Sequence, residues 1–198
     1  MPCLYCTFKQ QMELWREDLK YFLSFIVVIF LLFAGLLFYG RSLPQTFIFE
    51  QSINITADAD LVYDELVGSE NIRVWAPYLA GLGLDNTALT GAEHGAGQVI
   101  SWRRARVPFE TGVQEVLAVT PPYFVQSRFS SAPYEGSVIY AASQSLPSED
   151  MTVLVRLDLD AGDFPYFDRI KLNRHMSAIN EELFQSLTRL KTVVERQR

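Results

Sequence analysis

Cysteine is nearly absent from this chain of 198 residues. Cys3 and Cys6 both precede the main hydrophobic run, and nothing after it can form a disulfide or report a redox compartment. Their Cys-x-x-Cys spacing is half of a zinc site without a second half, and it lacks the βαβ setting of a redox pair. It reads as two reduced thiols on a short tail. Histidine is equally scarce. His94 lies in a Gly-rich turn and His175 near the start of the last helical segment, with no nucleophile or carboxylate placed beside either, so both read as solvated. The sequence holds no phosphate loop, metal-ligand cluster, Gly-x-Ser-x-Gly motif, internal repeat or low-complexity tract. Basic residues are also few, 17 against 23 acidic. Residues 1–44 carry four basic and three acidic side chains, which leaves thirteen against twenty for the rest. A domain that acidic lacks the basic face that nucleic acid requires and is poorly suited to lying flat on anionic lipid. No nucleic-acid partner, metal or cofactor is expected, and the composition names no protein partner.

What is present is a long apolar run. Tyr21 to Tyr39 holds no charge, and fourteen of its residues are Leu, Ile, Val or Phe. As a helix it would span roughly 28 Å, close to the hydrocarbon thickness of a bilayer. A buried core helix would keep a polar stripe, which this run lacks. A cleavable signal would have a shorter apolar core and a small-x-small exit, whereas this exit reads Phe38-Tyr39-Gly40. The expected organisation is a tail over 1–20, a transmembrane helix over 21–40, a linker over 41–45 and a domain over 46–198. Lys9, Arg16 and Lys20 flank the run on one side and Arg41 on the other. This bias predicts a single-pass protein in the membrane, its N-terminus cytoplasmic and its domain extracytoplasmic.

Within the domain, 46–55 alternates with Phe47, Phe49, Ile53 and Ile55 on one face, a strand with one buried side. Asp58 then suits the N-cap of a short helix over 59–67, with Gly68 as its stop. A second short helix is expected over 71–79, limited by Pro77. Six further strands are expected over 84–89, 98–104, 110–119, 123–130, 137–145 and 151–160. Their short connections predict an antiparallel meander. From Pro165 to about Glu195 the period becomes helical. Met176, Ile179, Leu183, Leu187, Leu190 and Val194 make one apolar stripe that can cover the dry face of the sheet.

The order strand, two short helices, six strands, long helix is an α+β helix-grip layout. Several stretches resemble the SRPBCC superfamily, also called START-like or Bet v 1-like, and in particular its polyketide cyclase/dehydrase branch. They are Ile53-Asn54-Ile55-Thr56-Ala57 before Val62-Tyr63-Asp64-Glu65-Leu66; 71–79 with its Trp75-Ala76-Pro77-Tyr78; Gly95-Ala96-Gly97 leading to Ser101-Trp102; 116–122; and Leu187-Thr188-Arg189-Leu190-Lys191. The resemblance covers the whole domain. It implies a curved seven-stranded antiparallel sheet gripping the last helix, with an apolar cavity between them that takes a hydrophobic small molecule such as a lipid, a quinone or a polyketide-like compound. The anchor is not part of that shared core. A fold of this kind hosts binders, transfer proteins and a few enzymes, so it names no activity.

On this reading Trp75 and Tyr78 stand at the cavity mouth, and Trp102, Tyr140 and Leu183 join them as candidate ligand walls. Each reads equally as core filler. Glu115 interrupts the set Phe109, Val113, Leu117, Val119; a carboxylate on a dry face would have a raised pKa and serve as acid or base, unless a bulge turns it outward. With Tyr140 it is the weak catalytic candidate of a cyclase-type enzyme, although a non-catalytic role is the stronger expectation. Arg128 shares parity with Gln126 and Ser130, which suggests the wet face. Arg103, Arg104 and Arg106, near Pro108, read as a solvated hairpin rather than a phosphate site. Three functions follow: a membrane-anchored ligand binder, a non-catalytic interaction module of a membrane complex with a filled cavity, and a cyclase/dehydrase-type enzyme using the same cavity.

Overall fold

The computed structural model describes residues 4–68, 72–79, 86–103, 109–144, 150–160 and 165–197, with side chains omitted for 4–18 and 165. Cys3, Arg104, Arg106 and Pro108, and the expected element ends Asn71, Leu84 and Ser145, lie outside the described residues. The chain forms two compact units, 1–43 and 44–198.

The first unit is one helix, α1 (Leu4–Ser42). Its stretch Leu19–Ser42 is long and apolar enough to cross a membrane. Phe22, Phe30 and Phe38 are all exposed, and the run carries no polar stripe.

The second unit begins with β1 (Thr46–Thr56), α2 (Ala59–Val67) and α3 (Ile72–Trp75). It continues with β2 (Thr87–Gly91), β3 (Gln98–Arg103), β4 (Thr111–Thr120), β5 (Phe124–Ser131), β6 (Tyr134–Gln144) and β7 (Asp150–Asp160), and closes with α4 (Pro165–Gln197). The strands form one antiparallel sheet in the order β1-β7-β6-β5-β4-β3-β2. This is the helix-grip architecture the pattern predicts. The meander accounts for β2 to β7, and β1 closes on β7 because both are apolar on the same side: Phe47 lies opposite Leu159, Phe49 opposite Leu157 and Ile55 opposite Met151.

α4 lies over β1 and β7. Ile179, Leu183, Leu187, Leu190 and Val194 are buried, as are Val153, Val155 and Leu157 of β7, while Met176 is half-buried. Polar side chains fasten the flank of the helix to β1. Lys191 Nζ donates to the Asn54 carbonyl at 2.8 Å, and the Thr56 amide donates to Glu195 Oε1 at 3.2 Å. Both groups belong to the free edge of the sheet, which would otherwise be open to another chain.

Two local expectations need correction. The helix expected over 71–79 is one turn, Ile72–Trp75, followed by a turn through 76–79. Pro77 disfavours a helical Ala76, so the helix stops before it. The alternation expected along β4 fails midway, because Leu117 is the extra residue of a β-bulge between Val116 and Ala118. Gln114 and Val116 face inward, and Val113, Glu115 and Leu117 face outward.

Candidate functional site

The inner face of β3 to β6 carries aromatic rings. Tyr78 packs against Phe109 with centroids 4.8 Å apart, against Phe129 at 5.7 Å and against Trp102 at 6.3 Å. Trp75 meets Tyr140 edge-on at 5.5 Å. Edge-on and offset contacts of this kind add about 0.5–1.5 kcal/mol each beyond burial. Of the sequence candidates, Tyr78 and Trp102 therefore share one aromatic group with Phe109 and Phe129, and Trp75 and Tyr140 form a second pair. Leu183 lies on the inward stripe of α4. All five are at most 5% exposed, so they are walls of the interior rather than residues of a solvent-filled mouth.

Backbone geometry marks Tyr78 as unusual. Its φ of 67° is left-handed, a conformation disfavoured for a bulky side chain and retained only where the surroundings over-determine it. The surroundings here are three aromatic contacts and a hydrogen bond from its amide to Glu182 Oε1 at 3.2 Å.

Several buried polar atoms line the interior. Trp75 Nε1, Tyr140 Oη and Ser186 Oγ have no hydrogen-bond partner among the described residues. Leaving such a group unpaired costs about 1–3 kcal/mol. Burial pushes the Tyr140 phenol well above its ordinary range, so it stays protonated and remains a donor at neutral pH. Tyr134, at the inner start of β6, is pushed up to about 12 by burial and by the Asp168 carboxylate.

Sequence reasoning missed the polar floor of this interior. Gln98, Gln114 and Ser127 are buried on the inward parity of β3, β4 and β5, and Gln114 Nε2 donates to Ser127 Oγ at 3.2 Å. Gln98 Nε2 donates to the Glu93 carbonyl, while its Oε1 has no partner among the described residues. Their inward parity with Ile100, Val116 and Phe129 was the available signal.

Glu115 takes the outward alternative that a bulge allows, and its candidacy as an interior acid or base is corrected. It faces outward and pairs with Arg128 at 3.5 Å on the wet face, with side chains 40% and 66% exposed. The bulge at Leu117 produced the false parity. Glu115 therefore does not stand beside Tyr140, and the acid–base pair a cyclase chemistry would draw from those two residues is not formed. His94 is exposed, and its backbone bridges to Gly68.

A second feature lies at one end of the sheet. A cleft of 680 Å³ opens along β2 to β5. The register lays Ala88, Ser101, Val113 and Ser130 side by side across four strands, and Arg103 opposite Thr111 in the next outward row. Trp102 turns its ring to the other face, over Gly112.

Comparison with known proteins places this geometry in a fold. No family model matches the chain, and no curated protein matches it. Solved structures do. Truncated norcoclaurine synthase from Thalictrum flavum superposes with a TM-score of 0.57 at 9% identity, over 75% of this chain and 93% of that one. The Zhui aromatase/cyclase from a Streptomyces species superposes with a TM-score of 0.55 at 18% identity, over 77% and 95%. The domain has the helix-grip fold that these two structures share. At such identities the likeness is one of fold.

Proposed function

We propose that this protein is a single-pass membrane protein whose helix-grip domain binds a hydrophobic small molecule between the sheet and α4. The candidate ligand classes are a lipid, a quinone or a polyketide-like compound. The observation that carries the reading is a pair of unpaired donors in the aromatic interior: Trp75 and Tyr140, whose rings meet edge-on, bury Nε1 and Oη with no acceptor supplied by the described residues. An apolar pocket with a few polar groups is the usual form of a small-molecule site, and a carbonyl- or hydroxyl-bearing apolar ligand would satisfy both donors. The strained Tyr78 marks 76–79 as the segment that would yield to admit it. The anchor supports the reading by location. Three residues separate α1 from β1, so the domain would sample molecules leaving the bilayer at high effective concentration. On the Lys/Arg bias, the domain would be extracytoplasmic.

One observation favours a second reading. The five candidate residues are packed on neighbouring side chains, and a filled interior suits a non-catalytic module that binds a protein partner in the membrane. Native mass spectrometry of the full chain released from detergent, with lipid extraction of the same sample, separates the two. A ligand binder carries a defined apolar adduct; a filled module is bare in every preparation.

A further inference from the structure

The cleft at the end of β2 to β5 lies on the opposite face of the sheet from the aromatic interior, and its chemistry is different. Its 680 Å³ falls within the roughly 300–1,000 Å³ typical of small-molecule sites. The register explains why a hollow exists there. Ala88, Ser101 and Ser130 are small, and they lie in adjacent strands of one outward row with only Val113 between them. The next outward row toward the sheet centre carries the Glu115–Arg128 pair, whose longer side chains form a bank.

Charge distinguishes the hollow from the rest of the domain. The domain carries thirteen basic against twenty acidic residues, yet none of the residues lining this cleft is a carboxylate. The single charge in the lining is Arg103, an exposed guanidinium with no ion pair or hydrogen bond among the described residues. Around it stand the hydroxyls of Ser101, Thr111 and Ser130, none engaged as a donor there. Ser131, which also lines the cleft, is engaged: its Oγ donates to the Thr111 carbonyl at 2.6 Å. The nearest acid along the row is Glu135, opposite Ser130 and outside the lining. A ligand's negative charge would therefore be held at the Arg103 end, away from Glu135.

We propose that this hollow binds a small phosphorylated alcohol, of the glycerol phosphate class, with the phosphate on Arg103 and the hydroxylated body along Ser101 and Ser130. A guanidinium takes a phosphate through paired, charge-assisted hydrogen bonds. Neutral hydroxyls serve either a phosphate oxygen or an alcohol. A bare ion would occupy a small fraction of the volume. The site is independent of the interior ligand, and the two can be occupied together. From sequence alone Arg103 belonged to a solvated hairpin; its meaning comes from four strands brought into register.

The test uses the full chain in an uncharged detergent, titrated calorimetrically with sn-glycerol 3-phosphate. Saturable binding is expected. Arg103→Gln should weaken it by at least about tenfold, the loss of one charge-assisted pair. Arg103→Lys should recover part of the loss. Ser101→Ala with Ser130→Ala should weaken it several-fold. These side chains lie on an outward face, so the melting temperature of each variant should match the parent. A second arm repeats the titration in nanodiscs with and without phosphatidylglycerol. Weakened apparent affinity when that lipid is present assigns the site to a lipid headgroup, and unchanged affinity assigns it to a free phosphate ester. The absence of saturable binding overturns the proposal, as does binding that Arg103→Gln leaves unchanged.

Discussion

Trp102 lies directly opposite Gly112 in the β3–β4 ladder, and its indole rests on the glycine backbone. A β-carbon at Gly112 would stand 2.2 Å from the indole Cζ2. The ring closes one end of the aromatic interior on one side, and the backbone beneath it floors the outward cleft on the other. Gly112→Ala should therefore expel the indole and destabilise the domain by about 1–3 kcal/mol, the usual cost of overpacking. Denaturant unfolding measures the loss. Trp102→Phe with Gly112→Ala should recover part of it, because the smaller ring leaves room for the methyl group.

Leu183 is the middle of the α4 stripe and fully buried. Leu183→Ala should cost about 2–5 kcal/mol, as other buried leucines do. Phe184, one position on, is 43% exposed, and Phe184→Ala should stay within about 0.5 kcal/mol. Urea midpoints of the two variants give the comparison.

The Tyr140 hydroxyl should show opposite effects in the empty and the loaded domain. Without ligand, Tyr140→Phe removes a buried unpaired group and should leave stability unchanged or raise it by about 1 kcal/mol. With ligand, the same change should lower affinity about tenfold or more, the loss of one buried hydrogen bond. Thermal melts of lipid-stripped and lipid-loaded protein read both.

Alkaline stability follows from Tyr134 and Tyr140. Both phenols have raised pKa values in the folded state, Tyr134 at about 12 against an unfolded value of about 10. Between those values the unfolded chain releases protons that the folded one keeps. Stability is thus full below about pH 10 and falls as pH rises toward and beyond about 12. The urea midpoint should drop between about pH 10 and about pH 12, and Tyr134→Phe should flatten that drop.

Glu115→Gln provides a contrasting case. The Glu115–Arg128 pair is exposed on the outer face, so its loss should change stability by less than about 0.5 kcal/mol. It should also leave apolar-ligand binding unchanged. A large loss of binding would place that carboxylate in the interior.

The regular elements were the readable part of the chain. β7 alternates for eleven residues and α4 keeps its apolar stripe through many turns, so period alone assigned both. β4 resisted because the bulge at Leu117 reverses the parity between Val113 and Val119, so alternation alone left both faces open to Glu115. α3 was drawn too long because Pro77 acts on the residue before it. The polar floor of Gln98, Gln114 and Ser127 escaped for a different reason. Alternation tempts one to assign polar residues to water, although Gln98 shares parity with Ile100, Gln114 with Val116 and Ser127 with Phe129. The outward cleft had no local sign, since it arises from four strands lying side by side.

The central claim is that the space behind Trp75, Tyr78 and Tyr140 takes an apolar molecule. The most direct measurement is the amount of apolar compound extracted per mole of purified full-length protein, for the parent and for Leu183→Trp, which fills that space with a larger ring. The account predicts a fixed stoichiometry near one for the parent and a clear fall for the folded variant. Equal, non-stoichiometric extraction from both, indistinguishable from detergent-carried lipid, would contradict it.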